Sequence, residues 1–171
     1  STLTTIQTGG WDVVVLQGQS YEALIDPAGF HAGAANLAAE IVAAGAVPMW
    51  FETWARAPGH ALYSETWSGG SPAAMQAGLR SAYGQAATDN GGVVAPVGDA
   101  WEVSLANTPS LGLHTGDGSH PNIHGSYLAA CVFFGRLTGL PATAVTHLPS
   151  TIQASDGLAL RQAAHQALTA P

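Results

Sequence analysis

The residues that could do chemistry are concentrated in one stretch, LHTGDGSHPNIHGSYLAA, which runs from Leu113 to Ala130. Asp117 and His120 lie three residues apart in its glycine-rich part, just before a predicted apolar helix. In a serine hydrolase, a histidine takes the proton of the nucleophile and a carboxylate orients that histidine. The two residues could therefore be an acid and a base, although Asp117 or Ser119 could equally serve only to cap the helix.

A metal site is a second interpretation of this stretch. His120 and His124 are four residues apart, as zinc-binding histidines on one helix are, and Asp117 is close in sequence. Pro121 argues against such a site, because it places His120 at or before the start of the helix, so that the two histidines need not share a face. The H-E-x-x-H pattern is also missing from the sequence. We therefore expect no metal and no other cofactor.

The composition narrows the class of protein. The 171 residues include only four basic residues, all arginine, against eleven acidic ones, for a net charge of −7. Nucleic acid is therefore not an expected partner, because its binding depends on clustered positive charge. No apolar run approaches the roughly 20 residues that cross a membrane. The single cysteine, Cys131, excludes an internal disulfide and is expected to be buried and inert. Both a secreted and a cytoplasmic location remain open.

The elements that must position these residues alternate between strand and helix, which indicates an α/β fold with a parallel sheet. We expect one domain over residues 1–171, with Ser71, Asp99 and Ser155 as helix N-caps and an irregular stretch, YEALIDPAGF, after Ser20. Strands are predicted in WDVVVLQ (11–17), AVPMWFETW (46–54) and VVAPVG (93–98), and helices over residues 31–45, 72–90, 99–106, 122–138 and 155–168. Three strands are fewer than the usual number of about five.

Polar residues follow the predicted strands, at the edge where active sites of parallel sheets are built. Gly18-Gln19-Ser20 follows the first strand, and Ser20 there has the Gly-x-Ser context of a nucleophile. The second strand leads into a long loop that carries Trp54, Arg56 and Trp67. These three side chains are candidates for binding a substrate.

The chain resembles the SGNH (GDSL-like) hydrolases, specifically a bacterial branch of that superfamily. The segment DGSHPNIHGSYLAA is similar to the last conserved block of the family, which carries its D-x-x-H motif. GGWDVVVLQGQS, WFETWAR, AYGQAA and VAPVGDAWE precede it in the family's order, so the resemblance covers nearly the whole chain. It implies a flavodoxin-like three-layer α/β/α sandwich that hydrolyses esters, often acyl groups on carbohydrates. Asp117 and His120 would be the acid and the base of its triad.

The resemblance also implies roles for the residues after the first strand. The family has Gly-x-Asn-Asp there, and its asparagine donates to the oxyanion. This chain has Gly18-Gln19-Ser20 instead, so the oxyanion role is carried over to Gln19, with Gly18. The family's nucleophilic serine and its first strands have no counterpart here, which predicts that they precede Ser1 and that the domain is N-terminally incomplete. Ser20 is the alternative nucleophile.

The sequence thus predicts an SGNH-type esterase whose partner is a small-molecule or carbohydrate ester, with neither nucleic acid nor membrane involved. A glycan-binding module on the same fold, without catalysis, is the alternative. A metal-dependent hydrolase that uses Asp117, His120 and His124 is the third interpretation.

Overall fold

A computed structural model describes residues 1–170, and these form two compact units. Unit 1 comprises Ser1–Thr53 and Ala77–Val94, and unit 2 comprises Trp54–Gln76 and the chain from Ala95 onward. The prediction of one domain over residues 1–171 stays a prediction.

A three-stranded sheet organises the first unit. Its strands are β1 (Val13–Leu16), β2 (Val47–Phe51) and β3 (Val93–Ala95), in the order β1-β2-β3. β1 and β2 pair in parallel, with Val13 opposite Val47 and Leu16 opposite Trp50. A parallel pair requires a crossover connection, which here contains helix α3 (Pro27–Ala43). The predicted α/β class with a parallel sheet is confirmed.

Unit 1 also contains helices, of which α3 contacts the sheet. They are α1 (Thr2–Gln7), α2 (Glu22–Ile25), α3 and the part of α4 (Pro72–Asn90) from Ala77 onward. α3 packs against both α1 and β2. The contact buries Ile6, Ile41 and Ala46, and four half-buried residues pack around them: Val14, Leu16, Leu37 and Ala44.

The stretch after Ser20 is helical, so the expected irregular segment was wrong. α2 begins at Glu22, and α3 begins at Pro27 rather than at His31. Asp26 caps α3 by accepting a hydrogen bond from the Gly29 N–H at 3.0 Å. Aspartate followed by proline is a typical helix start, and this signal was overlooked because the apolar periodicity is clearest only further along the helix.

Unit 2 is built mainly from helices. α5 (Val97–Asn107), α6 (Ile123–Thr138) and α7 (Ala154–Thr169) are its long elements, and α7 packs against both of the others. Three short 3₁₀ helices accompany them: Ala61–Ser64, Thr66–Ser68 and Ala142–Ala144. Small residues on the buried face of α7, such as Ala163 and Ala164, allow the close approach of its neighbours.

Helix and strand boundaries differ from the predictions at several points. The strand predicted over residues 93–98 ends at Ala95, because Pro96 occupies the N-cap position of α5. Asp99 therefore lies in the first turn of α5 and is not its cap. Gln153 precedes α7, so Ser155 lies inside that helix rather than capping it. Ser71 does cap α4, with its Oγ accepting from the Ala74 N–H at 3.2 Å.

Cys131 lies on the buried face of α6, as expected. It has no exposed surface. Burial raises the pKa of its thiol to about 11, against smaller lowering effects of Tyr127 and Arg161. The thiol is therefore protonated at neutral pH and inert as a nucleophile.

Within residues 1–170, the structure has no helix of the length and apolar character needed to span a membrane.

Gly125, near the start of α6, lies in close contact with other residues of unit 2. A substitution at this position therefore tests how unit 2 is packed. An added Cβ would stand 2.5 Å from the Leu113 carbonyl oxygen and closer still to the Trp101 ring. Gly125→Ala is therefore expected to lower the free energy of unfolding by about 1–3 kcal/mol, measured by urea denaturation. Gly84→Ala in α4, where an added Cβ meets nothing within 4 Å, should instead stabilise by about 0.5–1 kcal/mol. Equal effects of the two substitutions would contradict this packing.

Candidate active site

Asp117 and His120 form a hydrogen-bonded pair in unit 2. The Nδ1 atom of His120 lies 2.6 Å from Oδ2 of Asp117, and the two side chains are 77% and 49% exposed, respectively. Because Nδ1 faces a carboxylate, it carries the proton of the neutral ring, and Nε2 remains the basic nitrogen. Among the hydrogen bonds within residues 1–170, none involves Nε2. The imidazole is thus arranged as a general base would be.

The second carboxylate oxygen of Asp117 is held by three donors. Oδ1 accepts from the Thr115 hydroxyl at 2.7 Å, from the Ser119 N–H at 2.8 Å and from the His120 N–H at 3.0 Å. The bond from the His120 ring, followed by these three, keeps the pKa of Asp117 well below its usual range. Asp117 is therefore an anion at neutral and mildly acidic pH. We did not identify Thr115, one of these donors, from the sequence.

The backbone of the loop brings the two side chains together. The Thr115 N–H donates to the His120 carbonyl at 2.8 Å, and the Gly118 N–H donates to the Thr115 carbonyl at 3.0 Å. His114 and Pro121, which flank this turn in sequence, form an antiparallel β-bridge. Gly118 has φ +66°, a conformation that glycine adopts with little strain. The glycine of D-G-S-H is therefore a requirement of the turn.

The cap of α6 is Asn122, so the interpretation of Asp117 or Ser119 as the cap was wrong. The Asn122 side-chain oxygen accepts from the N–H groups of His124 at 2.9 Å and Gly125 at 3.1 Å. Asparagine is among the preferred N-cap residues, so the sequence did contain this signal. The consequence is that Asp117 is left free to hold His120.

Trp54 contacts the same loop from outside it. Its indole Nε1–H donates to the Ser119 carbonyl at 3.0 Å. Its ring stacks on Trp101, with ring centroids 4.3 Å apart and planes 3° apart. Of the other predicted substrate-binding residues, Arg56 is buried and Trp67 is half-buried. The substrate-binding role of these three residues stays a prediction.

A cavity of about 370 Å³ lies within unit 2. Its walls combine apolar side chains with both donors and acceptors of hydrogen bonds. They include Arg56, Gln76, Trp101, Glu102, Leu105 and His114. The His114 ring is hydrogen-bonded to the Ala55 carbonyl at 3.0 Å, and burial, the largest effect, lowers the pKa of His114. The His114 ring is therefore uncharged at neutral pH and forms part of the cavity wall.

The donors of the third interpretation are not arranged as a metal site. His124 lies in the first turn of α6, and its Nε2 is 4.0 Å from Asp156 Oδ2. His120 is bonded to Asp117 instead. Across the described chain, residues 1–170, no three His, Cys, Asp or Glu residues are grouped so that they could hold a metal ion. A metal-dependent hydrolase needs at least such a set of ligands.

The residues predicted for the oxyanion site lie in unit 1. The Gly18 N–H donates to the Tyr83 hydroxyl at 3.2 Å, so this donor is already engaged. The Gln19 side-chain amide donates to Ser20 Oγ at 3.2 Å. Burial is the main reason why the pKa of Tyr83 is raised, and Tyr83 remains a neutral hydroxyl. The oxyanion roles of Gly18 and Gln19 stay predictions.

Ser20 lies between β1 and α2. Its carbonyl oxygen accepts from the Thr53 hydroxyl at 3.1 Å. α2 begins two residues later, at Glu22, so a helix follows Ser20, as it follows the serine of a nucleophile elbow. Ser20 stays the alternative nucleophile.

Two solved structures are similar to this chain in fold. A DUF4886 family protein from Bacteroides uniformis, solved by crystallography, matches with a TM-score of 0.83 and 24% identity, over 97% of this chain and 65% of its own. A provisionally assigned SGNH hydrolase from Slackia heliotrinireducens matches with a TM-score of 0.66 and 32% identity, over 76% of this chain and 67% of its own. The chain thus spans about two thirds of each protein. No family model and no curated protein matches the sequence.

The chain thus has a parallel α/β sheet in unit 1 and a hydrogen-bonded Asp–x–x–His pair in unit 2. With the second of these similarities, the chain belongs to the SGNH hydrolase superfamily. The fold expected from its motifs is therefore confirmed.

Proposed function

We propose that the protein is a serine-type ester hydrolase in which His120 is the general base and Asp117 orients it. One observation carries this proposal. The 2.6 Å bond between Nδ1 and Oδ2, with Oδ1 fixed by three further donors, leaves Nε2 without a hydrogen bond to residues 1–170, on a side chain that is 77% exposed. A carboxylate that is held in this way can neither rotate nor protonate easily, so it keeps the histidine in one tautomer.

The reaction then follows from the positions of the protons. Nε2 takes the proton of a serine hydroxyl as its oxygen attacks the ester carbonyl, and the imidazolium that forms lies against the Asp117 carboxylate. Nε2–H next gives this proton to the departing alkoxide, which leaves as an alcohol, while the acyl group stays on the serine as an acyl-enzyme. Water repeats the sequence: Nε2 takes its proton, the acyl group leaves as the acid, and the serine recovers its hydrogen.

In this proposal the nucleophile is a serine other than Ser20, which stays the alternative. A fluorophosphonate probe, which labels activated serines, should therefore modify the protein on a serine other than Ser20, as mapped by mass spectrometry. Labelling should survive Ser20→Ala. A label on Ser20 itself would support the alternative nucleophile. A full-length protein that takes up no label and does not hydrolyse p-nitrophenyl acetate would overturn the hydrolase proposal.

The proposed substrate class is an acylated carbohydrate or another ester of similar size. The support is the cavity of about 370 Å³ in unit 2, which is at the small end of the range of ligand pockets. Arg56 is a donor, Glu102 an acceptor and Leu105 an apolar wall. A sugar ring presents hydroxyl groups and apolar C–H faces, and it can satisfy all three kinds of surface.

The geometry favours catalysis over a glycan-binding module. Binding alone requires no carboxylate–imidazole bond, whereas such a bond fixes the tautomer of a histidine that accepts a proton at Nε2. If the full-length protein bound oligosaccharide in calorimetry but hydrolysed no acyl ester, the binding module would be the better interpretation.

A further inference from the structure

We infer that Trp54 is a positioning residue, which acts on His120 through the Ser119–His120 peptide group and does not contact substrate. This inference rests on the proposed function. The sequence predicted a different role for Trp54, as a surface that binds substrate.

The key contacts converge on a single peptide group. The carbonyl of Ser119 accepts from Trp54 Nε1 at 3.0 Å, and the N–H of His120 donates to Asp117 Oδ1 at 3.0 Å. These two atoms are the opposite ends of the same planar amide. The plane is therefore held on one side by Asp117 and on the other by Trp54. Because this peptide leads directly into the His120 Cα, its orientation determines where the imidazole lies.

The Trp54 ring is itself held in place. It stacks on Trp101 at 4.3 Å with an angle of 3°. The Trp101 side chain is buried, and the far edge of its ring lies against Gly125 in α6. One face of the Trp54 ring is thus covered by protein, and its N–H is engaged by the loop. Neither feature suits a platform for a sugar, and both suit a rigid support.

Loss of the Trp54 N–H donor should change the position of the His120 imidazole. Without the Trp54 N–H, the Ser119 carbonyl loses its donor, and the 119–120 peptide keeps its contact with Asp117 and the neighbouring bonds of the turn. The peptide plane is then held less tightly. A misplacement of the base by about 1 Å can cost as much as a hundredfold in rate. Substrate affinity should change little, since Trp54 does not touch the ligand in this assignment.

The test compares two tryptophans that make the same kind of bond. Trp54→Phe keeps a stacking ring and removes the N–H. We expect kcat of the full-length protein to fall by about ten- to a hundredfold, with KM within twofold. Trp11→Phe is the matched control, because Trp11 Nε1 also donates to a backbone carbonyl, that of Thr5, at 3.0 Å. It should leave kcat unchanged. Trp54→Tyr provides a second ring without the N–H, in case Trp54→Phe folds poorly.

A second readout separates this inference from the proposed function. Long-range ¹H–¹⁵N NMR spectra report which ring nitrogen of His120 carries the proton. The parent protein should show Nδ1–H, and Trp54→Phe should show a mixture of both tautomers. Such a mixture in a protein without esterase activity would overturn the proposed function and leave the positioning role of Trp54 supported. Unchanged tautomers with unchanged kcat, or a raised KM with unchanged kcat, would overturn the positioning role.

Discussion

Replacing His120 by alanine is expected to lower kcat/KM for p-nitrophenyl acetate by at least about a thousandfold in the full-length protein, without loss of folding. In the proposed mechanism Nε2 of His120 is the proton acceptor, so its removal leaves the nucleophile without a base. Since the side chain is 77% exposed, its truncation should barely change the free energy of unfolding. Steady-state kinetics and urea denaturation measure the two effects.

Two other histidines serve as comparisons for His120→Ala. His147 is an exposed histidine outside the loop, and His147→Ala should retain parent activity. His124→Ala examines the metal interpretation, which assigns His124 as a ligand and therefore expects a loss as large as that of His120→Ala. A His120→Ala protein that kept more than a tenth of the parent rate would exclude His120 as the base.

Replacing Asp117 by asparagine is expected to lower kcat by about a thousand- to ten-thousandfold. An asparagine amide can keep its oxygen towards the Ser119 and His120 N–H groups, and then its NH₂ group faces Nδ1. Nδ1 would have to accept a hydrogen bond, so the ring proton would move to Nε2, where the base must be free. Long-range ¹H–¹⁵N NMR spectra would show this change of tautomer directly, beside the kinetics.

The same substitution has a pH-dependent effect on stability. The pKa of Asp117 is below its usual range in the folded protein, so the contribution of the charged form to stability is complete above the unfolded-state pKa of about 3.9. It is lost only as the pH falls through the lower folded-state pKa. The stability difference between the parent and Asp117→Asn should therefore shrink as the pH falls below about 4, as followed by urea denaturation.

The control for this pH dependence is Asp89→Asn. Asp89 is an exposed residue of α4 whose carboxylate accepts from the Gln85 side chain at 2.7 Å. It contacts a single neutral donor, whereas Asp117 is held by four donors, so Asp89→Asn should change neither kcat nor the tautomer of His120. A stability difference for Asp117→Asn that grew on acidification would contradict the low pKa of Asp117.

Much of the site could be predicted because its central bond is local in sequence. The spacing of Asp117 and His120, with Gly118 between them, already restricts the turn to shapes in which the two side chains can meet. The helix that follows was predicted within one residue of its observed start at Ile123. Errors arose where a local signal was weak or overlooked, as at the Asp26 cap of α3 and at Pro96, which ends β3 early.

The sequence by itself thus determined the α/β class, through its periodicity, and the superfamily, through the resemblance of its motifs, and it placed Asp117 and His120 close enough to meet. Only the tertiary structure decided the contacts that join distant parts of the chain. Trp54 is 65 residues from Ser119, and Tyr83 is 65 residues from the Gly18 N–H that it engages. Contacts at such separations leave no pattern of spacing in one sequence, because they form only when folding offsets the entropy of closing a long loop.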